Sequence, residues 1–427
     1  MYQMFKRQIL VIVIHVVVVT TALAQQKYSP GSSFKSYKGL IMAGYQGWFN
    51  APSDGAQMGW NHYATKGRFE PGYCKVDFWP DVKEYQKTYE TPFRKSNGHP
   101  AYLFSSYDRQ TVYLHFKWMK QYGVDGAFIQ RSVAALKSPE NLRHDDRVLL
   151  NALNASRRYH RAIAIMYDFS GLNETNNDWK VITDDWKHLV DRMKIASRGN
   201  QQTYLYHHGR PLVALWGVGF PDRTNNLKTI EKIIDFLKND PVYGGCSILL
   251  GVPAYWRDFG KDTEKDPYLH TVLLKADIIR PWFVGRFNAD TYPGFRDRIK
   301  KDIEWCNQNK LDYVPVVFPG FSWHNMHPES KSAQIPRDRG RFYWQQLVGA
   351  IEEGSEMIYI AMFDEIDEGT AIFKTTNNPP VGATKFESFE SDIPSDYYLF
   401  LTGVAGKMLK KEILLEKNIP LPPAQKN

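Results

Sequence analysis

The chain has 427 residues, of which 43% are hydrophobic and 23% charged, with 24 Pro and 30 Gly spread along it. That composition is ordinary for a soluble globular protein and excludes a disordered chain, collagen and a coiled coil. Formal net charge is +8 and falls to +6 once Lys6 and Arg7 are removed. Basic residues alternate with Asp and Glu, with no Lys/Arg-rich run, so no nucleic-acid partner is expected. Cys74, Cys246 and Cys306 form no CxxC pair, which excludes a disulfide framework and a zinc knuckle and leaves room for one bridge at most.

The first element in chain order is a targeting segment. Lys6 and Arg7 precede an apolar run from Ile9 to Val19, which leads to Ala22-Leu23-Ala24. This is the pattern of a secretory signal peptide over residues 1–24, with cleavage after Ala24. The run is too short for a span of about 20 residues, so stable membrane insertion is not expected after cleavage. The mature chain, 25–427, is expected to be secreted or periplasmic.

Short apolar runs then alternate with longer amphipathic segments, the signature of parallel strands covered by helices. Strands are predicted at 41–47, 125–130, 162–169, 212–218, 247–252, 278–283, 313–318 and 357–362. Helices are predicted at 112–122, 147–159, 185–196, 227–237, 295–307, 342–351 and 397–409. About eight strand–helix units fit an α/β fold of one kind, a single (β/α)8 barrel. A doubly wound open sheet is the competing architecture. No GxGxxG or GxxxxGK[ST] segment follows any strand, so no nucleotide cofactor is indicated.

In such a barrel the chemistry sits just past the C-terminal ends of the strands. Residues there are Tyr45 and Gln46, Gln130 and Arg131, Tyr167 and Asp168, Trp216, then Tyr255, Trp256 and Arg257. Arg286 and Asn288 follow strand six, Trp323, His324 and Asn325 follow strand seven, and Asp364-Glu365-Ile366-Asp367-Glu368-Gly369-Thr370 follows strand eight. Glycoside hydrolysis commonly needs two carboxyl groups facing the anomeric centre. Glu365 and Glu368 are three apart, and a helical turn would bring them to roughly 5–6 Å between Cβ atoms. Gly369 suits the turn that ends the segment. The bland alternatives are a solvated acidic loop, a helix cap or a calcium loop; the last lacks the ligand spacing of an EF-hand. Trp323-His324-Asn325-Met326-His327 shows a HxxH spacing without the HExxH context, so no metal is assigned. Aromatic residues at strand ends, Tyr45, Trp48, Trp216, Tyr255, Trp256 and Trp323, are candidates for stacking on sugar rings.

The Glu365-Ile366-Asp367-Glu368-Gly369-Thr370 segment resembles the ExxEGT segment of glycoside hydrolase family 99 and the broader 71/99-like group. The stretches 251–257 (GVPAYWR) and 43–48 (AGYQGW) are similar as well. The resemblance implies a retaining α-glycoside hydrolase, endo-acting on an α-mannose-like glycan, that uses no cofactor. It also implies that Glu365 deprotonates the substrate 2-hydroxyl to form a 1,2-anhydro sugar, and that Glu368 is general acid and base. Tyr45, Gln46, Tyr167, Asp168, Trp216, Tyr255, Trp256, Arg257, Arg286, Asn288, Trp323, His324, Asn325 and Asp364 are the expected substrate contacts. Where that family carries Trp and His between the glutamates, this chain has Ile366 and Asp367, which marks it as divergent. A non-catalytic carbohydrate-binding barrel is the alternative function.

Overall fold

A computed structural model describes residues 27–28, 31–173, 177–196, 203–222 and 227–421. The signal peptide expected at 1–24 lies outside the described residues. In chain order the strands are β1 (Ile41–Tyr45), β2 (Tyr89–Arg94), β3 (Pro100–Leu103), β4 (Gly126–Ser132), β5 (Ala162–Asp168) and β6 (Tyr206–His207). They continue with β7 (Arg210–Trp216), β8 (Ser247–Val252), β9 (Ile278–Pro281), β10 (Asp312–Tyr313), β11 (Val316–Val317) and β12 (Ile358–Ile360). The helices are α1 (Arg109–Tyr122), α2 (Val133–Leu136), α3 (Pro139–Tyr159), α4 (Trp179–Asp191) and α5 (Leu227–Asn239). After them come α6 (Tyr268–Leu273), α7 (Tyr292–Gln308), α8 (Arg341–Glu352) and α9 (Tyr397–Leu409).

Parallel pairing runs in the order β10-β9-β8-β7-β5-β4-β1-β12-β11. Because β10 and β11 are two pieces of one predicted strand, 313–318, this path closes a (β/α)8 barrel. The break falls at Val314-Pro315. Val314 N still donates to Ile279 O of β9, while Pro315, which has no N–H, offers only its carbonyl to Tyr359 N of β12. The strand thus changes partner where it loses a donor. The hairpin β2–β3, the antiparallel β6 and the short helices α2 and α6 are additions to the eight predicted units.

Strands β1, β5 and β8 are buried along their whole length. Core on one face and helices on the other explain their near-continuous apolar sequence. The barrel interior is crowded: a Cβ on Gly44 would lie 2.2 Å from both Met362 Sδ and the Tyr359 hydroxyl. Arg280 of β9 also lies inside, fully buried, its guanidinium 4.1 Å from the Tyr359 ring centre. The helix predicted at 185–196 starts six residues earlier, at Trp179, so that Ile182, Trp186 and Leu189 share its buried stripe. Beyond Arg192 the chain leaves the helix, and Ile195 N returns to Leu189 O. Cys74, Cys246 and Cys306 are all free and buried. No helix among the described residues is long and apolar enough to cross a membrane.

Arg131, which follows the sequence rule for a strand-end site residue, is structural. It is fully buried and pairs with Asp185 of α4, Nε to Oδ2 at 2.9 Å, and with Asp146 of α3 at 3.0 Å. Removing one member of a buried ion pair strands the other. Arg131→Ala is therefore expected to lower unfolding free energy by about 3–5 kcal/mol in urea denaturation. A loss below about 1 kcal/mol would show that the network carries little stability.

Candidate active site

Period-2 alternation at the strand ends decides which predicted residues reach the barrel mouth. At the end of β1, Tyr45 turns outward and places its hydroxyl 2.9 Å from His115 Nδ1 of α1, whereas Gln46 turns inward. At the end of β5, Tyr167 points outward and donates to Asp185 at 2.8 Å, whereas Met166 and Asp168 face the mouth. The mouth holds a cavity of about 320 Å3 lined by Gln46, Trp48, His62, Gln130, Met166, Asp168, Ser170, Trp216, Trp282, Met326, Met362, Glu365, Asp367 and Glu368. That size is at the small end of ligand sites, which run from roughly 300 to 1,000 Å3.

Asp364 sits beneath this cavity and does not line it, contrary to the sequence expectation. Its two oxygens accept the backbone N–H groups of Gln46 at 2.9 Å and Gly47 at 2.8 Å, which ties the end of β1 to the end of β12. Burial pushes its carboxyl up to about 6. With its backbone held there, Gln46 donates Nε2 to Glu365 Oε1 at 2.5 Å, and Thr370 donates its hydroxyl to Glu365 Oε2 at 2.6 Å. The acidic segment ends at Gly369, whose φ of +63° and close approach to the Ser322 backbone suit glycine.

Four acidic groups meet at the cavity, Asp168, Glu365, Asp367 and Glu368. Burial, then the charges of Glu368 and Asp367, push the Glu365 carboxyl well above its ordinary range, although the Thr370 hydroxyl works against that push. Burial, then Asp367 and Asp168, push Glu368 up to about 8. Asp367 goes the other way. Burial opposes its ionisation, but His62, with Nε2 at 3.0 Å from Oδ2, holds it below the ordinary carboxylate range. Asp168 is oriented by Gln130 Nε2 at 2.8 Å and by Ser170 N at 2.8 Å. Two donors are aimed at Glu365, and none of the hydrogen bonds described above reaches Glu368. Those donors favour charge on Glu365 and so work against the push of burial, which Glu368 meets without such help.

Both glutamine amides spend their N–H on carboxylates, so their carbonyls are left over. Gln46 Oε1, Gln130 Oε1 and Asp367 Oδ1 are buried with no partner among the described residues. All three are acceptors. Walls of Trp48, Trp216 and Trp282 complete a cavity suited to an apolar ring face edged with hydroxyl donors.

Several other predicted contacts are corrected. Trp256 is fully buried against Trp305 of α7, with ring centres 4.8 Å apart. Tyr255 packs on Phe295 and Arg298, also of α7, and Arg257 pairs with Asp302 at 2.8 Å. The segment after β8 thus folds down onto α7 and away from the mouth. Arg286 pairs with Asp262 at 2.6 Å, and Asn288 accepts from Thr291 N in the turn before α7. After β11, His324 N and Asn325 N both donate to Asp77 at 2.8 Å, and Trp323 lies on Phe321 and His327. Buried Asp77 organises that loop, and only its Met326 reaches the cavity.

Sequence reasoning missed His62, Met166, Ser170, Trp282 and Met326 as cavity residues. Trp282 directly follows β9 and carried the strand-end signal. His62 lies in the long β1–β2 connection, where nothing local distinguishes it. Among the described residues one set of metal-capable side chains converges, His207, His208 and Asp312, at the opposite end of the barrel. There His207 Nδ1 faces the Tyr37 N–H, and Lys38 occupies the other Asp312 oxygen at 2.9 Å.

The profile of Glycosyl hydrolase family 99 matches residues 285–411, which include the acidic segment. The glycoprotein endo-alpha-1,2-mannosidase of Rattus norvegicus is 22% identical over 410 residues, covering 89% of this chain and 78% of that one. An endo-alpha-1,2-mannosidase-like protein of Danio rerio is 28% identical over 143 residues, 32% of each chain. The solved GH99 endo-alpha-mannosidase of Bacteroides thetaiotaomicron superposes with a TM-score of 0.65 at 16% identity, over 88% of this chain and 98% of that one. The chain is similar to glycoside hydrolase family 99 over residues 285–411 and shares the fold of a solved member of that family. It is therefore a glycoside hydrolase with a carbohydrate substrate, and the match confirms the (β/α)8 barrel.

The ionisation of Glu368 carries a stability consequence. Its folded value of about 8 lies above the ordinary 4.5, so its stabilising protonated form is fully present below pH 4.5 and is lost as pH rises through 8. Glu368→Gln removes that loss. The variant is expected to be more stable than the parent by about 4 kcal/mol at pH 8, and nearly equal to it at pH 4. Denaturant melts at both values check this, and an equal difference at both would contradict it.

Proposed function

We propose that this enzyme cleaves α-mannose-linked glycans internally and with retention of configuration, using Glu365 and Glu368. The observation that carries the reading is the buried carboxyl pair, with two donors on Glu365, in a Trp-walled cavity that offers the acceptors Gln46 Oε1, Gln130 Oε1 and Asp367 Oδ1. The endo-mannosidases it resembles support the substrate class.

In the first step Glu365 takes the proton of the substrate 2-hydroxyl as that oxygen attacks the anomeric carbon. The glycosidic C–O bond breaks, and Glu368 gives its proton to the departing oxygen. A 1,2-anhydro sugar results, with Glu365 protonated and Glu368 ionised. Water then attacks the anomeric carbon, Glu368 receives its proton, and Glu365 returns a proton to the 2-oxygen. Both carboxyls finish as they began. A 5–6 Å helical-turn spacing is compatible with two groups serving one anomeric centre. Gln46 and Thr370 hold the base in place, and Asp367 raises the acid's affinity for its proton.

Glu368→Gln is expected to lose about 10²–10⁴-fold in turnover of unactivated glycans, while sparing substrates whose leaving group needs little protonation. Glu365→Gln should impair both substrate kinds, and a 2-deoxy analogue should resist the unmodified enzyme. Steady-state kinetics with matched substrates read this out. Equal sparing in both variants would undo the division of roles, and a covalent glycosyl adduct on Glu365 would replace the anhydro-sugar route by ordinary nucleophilic catalysis. Full binding without any release of reducing ends would favour a non-catalytic carbohydrate-binding barrel.

We also propose that the enzyme is secreted or periplasmic, on the pattern of residues 6–24. Amino-terminal sequencing of the mature protein should start near Gln25. An intact Met1 on membrane-bound protein would overturn this.

A further inference from the structure

Another concavity lies outside the barrel mouth. It is a groove of about 930 Å3 on the flank formed by α1, α3 and the connection before β2. Five cationic side chains face it, Lys87, Arg109, Lys117, Arg147 and Arg158, drawn from three segments far apart in sequence. Two acids share the groove, and both are already engaged. Glu84 accepts from Lys374 Nζ at 2.5 Å and from Trp118 Nε1 at 3.1 Å. Asp108 accepts from Lys87 at 2.9 Å and from the Tyr89 hydroxyl at 2.8 Å.

Arg109, Lys117, Arg147 and Arg158 therefore face the groove with no ion pair among the described residues. Elsewhere Arg296 is matched by Glu352 and Glu353, and Arg298 by Asp258. Four uncompensated cations around one concavity repel one another and raise the local concentration of anions. Two of the guanidiniums lie over tyrosine rings, Arg109 over Tyr113 at 4.8 Å and Arg158 over Tyr159 at 5.8 Å. Aromatic faces interleaved with cations suit a ring-bearing polyanion better than a bare ion.

The groove also leads toward the catalytic cavity. Arg147 lies 5.8 Å from the Tyr107 ring, and Tyr107 stacks on His144 at 5.8 Å. His144 lines a second cavity of about 310 Å3, which shares Trp48 and His62 with the catalytic one. Arg147, Tyr107 and His144 thus lie in a row between the groove and the mouth.

We propose that this groove is an accessory site for an anionic saccharide chain, bearing sulfate, phosphate or uronate groups, that holds acidic glycans beside the catalytic cavity. The choice of a saccharide rests on the carbohydrate reading of the mouth. Binding itself can be read without turnover, so the two stand or fall separately.

The test is affinity electrophoresis of the full chain against dextran sulfate and against neutral dextran, at low and high salt. The unmodified protein is expected to be retarded by dextran sulfate alone, and high salt should abolish the retardation. Arg109→Glu with Arg147→Glu should weaken binding by about tenfold or more at an unchanged melting temperature. Arg339→Glu with Arg341→Glu makes the same charge change elsewhere and should leave binding within about twofold. Equal losses in both double variants would mean diffuse charge attraction and would overturn the site. A single-stranded oligonucleotide bound as tightly through Arg109 and Arg147 would overturn the saccharide assignment. Hydrolysis of neutral α-mannan should be the same in the groove variant as in the unmodified enzyme, and loss of that activity would place the groove in the catalytic machinery instead.

Discussion

The acidic corner of the barrel mouth depends on one carboxylate that does not line the cavity. Asp364 receives the N–H groups of Gln46 and Gly47 and so fixes the first strand end against the last, closing the barrel at its functional rim. Gln46 then has one direction available for its amide, toward Glu365. A buried acid held by two backbone donors is costly to remove, since both N–H groups would be left without a partner. Positioning and stability are joined in the same residue.

Around that anchor the enzyme collects acids where burial disfavours them. Asp364, Glu365 and Glu368 are all raised, and only Asp367, against His62, is lowered. Such crowding opposes folding at neutral pH and serves chemistry, because two like charges in one pocket cannot both ionise freely. The donors Gln46 and Thr370 act on Glu365 against that crowding. Departure from the family segment has a structural counterpart here. Asp367 stands between the glutamates where the resembling family has His, and a histidine from a distant connection, His62, packs against it.

Architecture was legible in the sequence because barrel strands buried on both faces read as short apolar runs, and the covering helices as periodic ones. The glutamate pair was legible because it follows the eighth such run. Position past a strand was a poor guide to individual contacts, since it ignores alternation: Tyr45 and Tyr167 each precede a cavity residue, Gln46 and Asp168, and turn outward to α1 and α4. Loop direction was hidden as well. The segment after β8 folds back on α7, so Tyr255, Trp256 and Arg257 pack there, and nothing local in the sequence encodes that turn. His62 and the cationic groove share a different cause, being assembled from segments that only the fold brings together.

The central claim is that Glu365 and Glu368 share one buried pocket that lifts both carboxyls out of the ordinary range, so that they do not ionise together at neutral pH. Carboxyl 13C NMR of glutamate-labelled protein between pH 4 and 9 measures this directly. The account predicts one side-chain resonance titrating near pH 8 that disappears in Glu368→Gln. Finding both glutamates already ionised at pH 6, with every carboxyl titrating in the ordinary range, would contradict it.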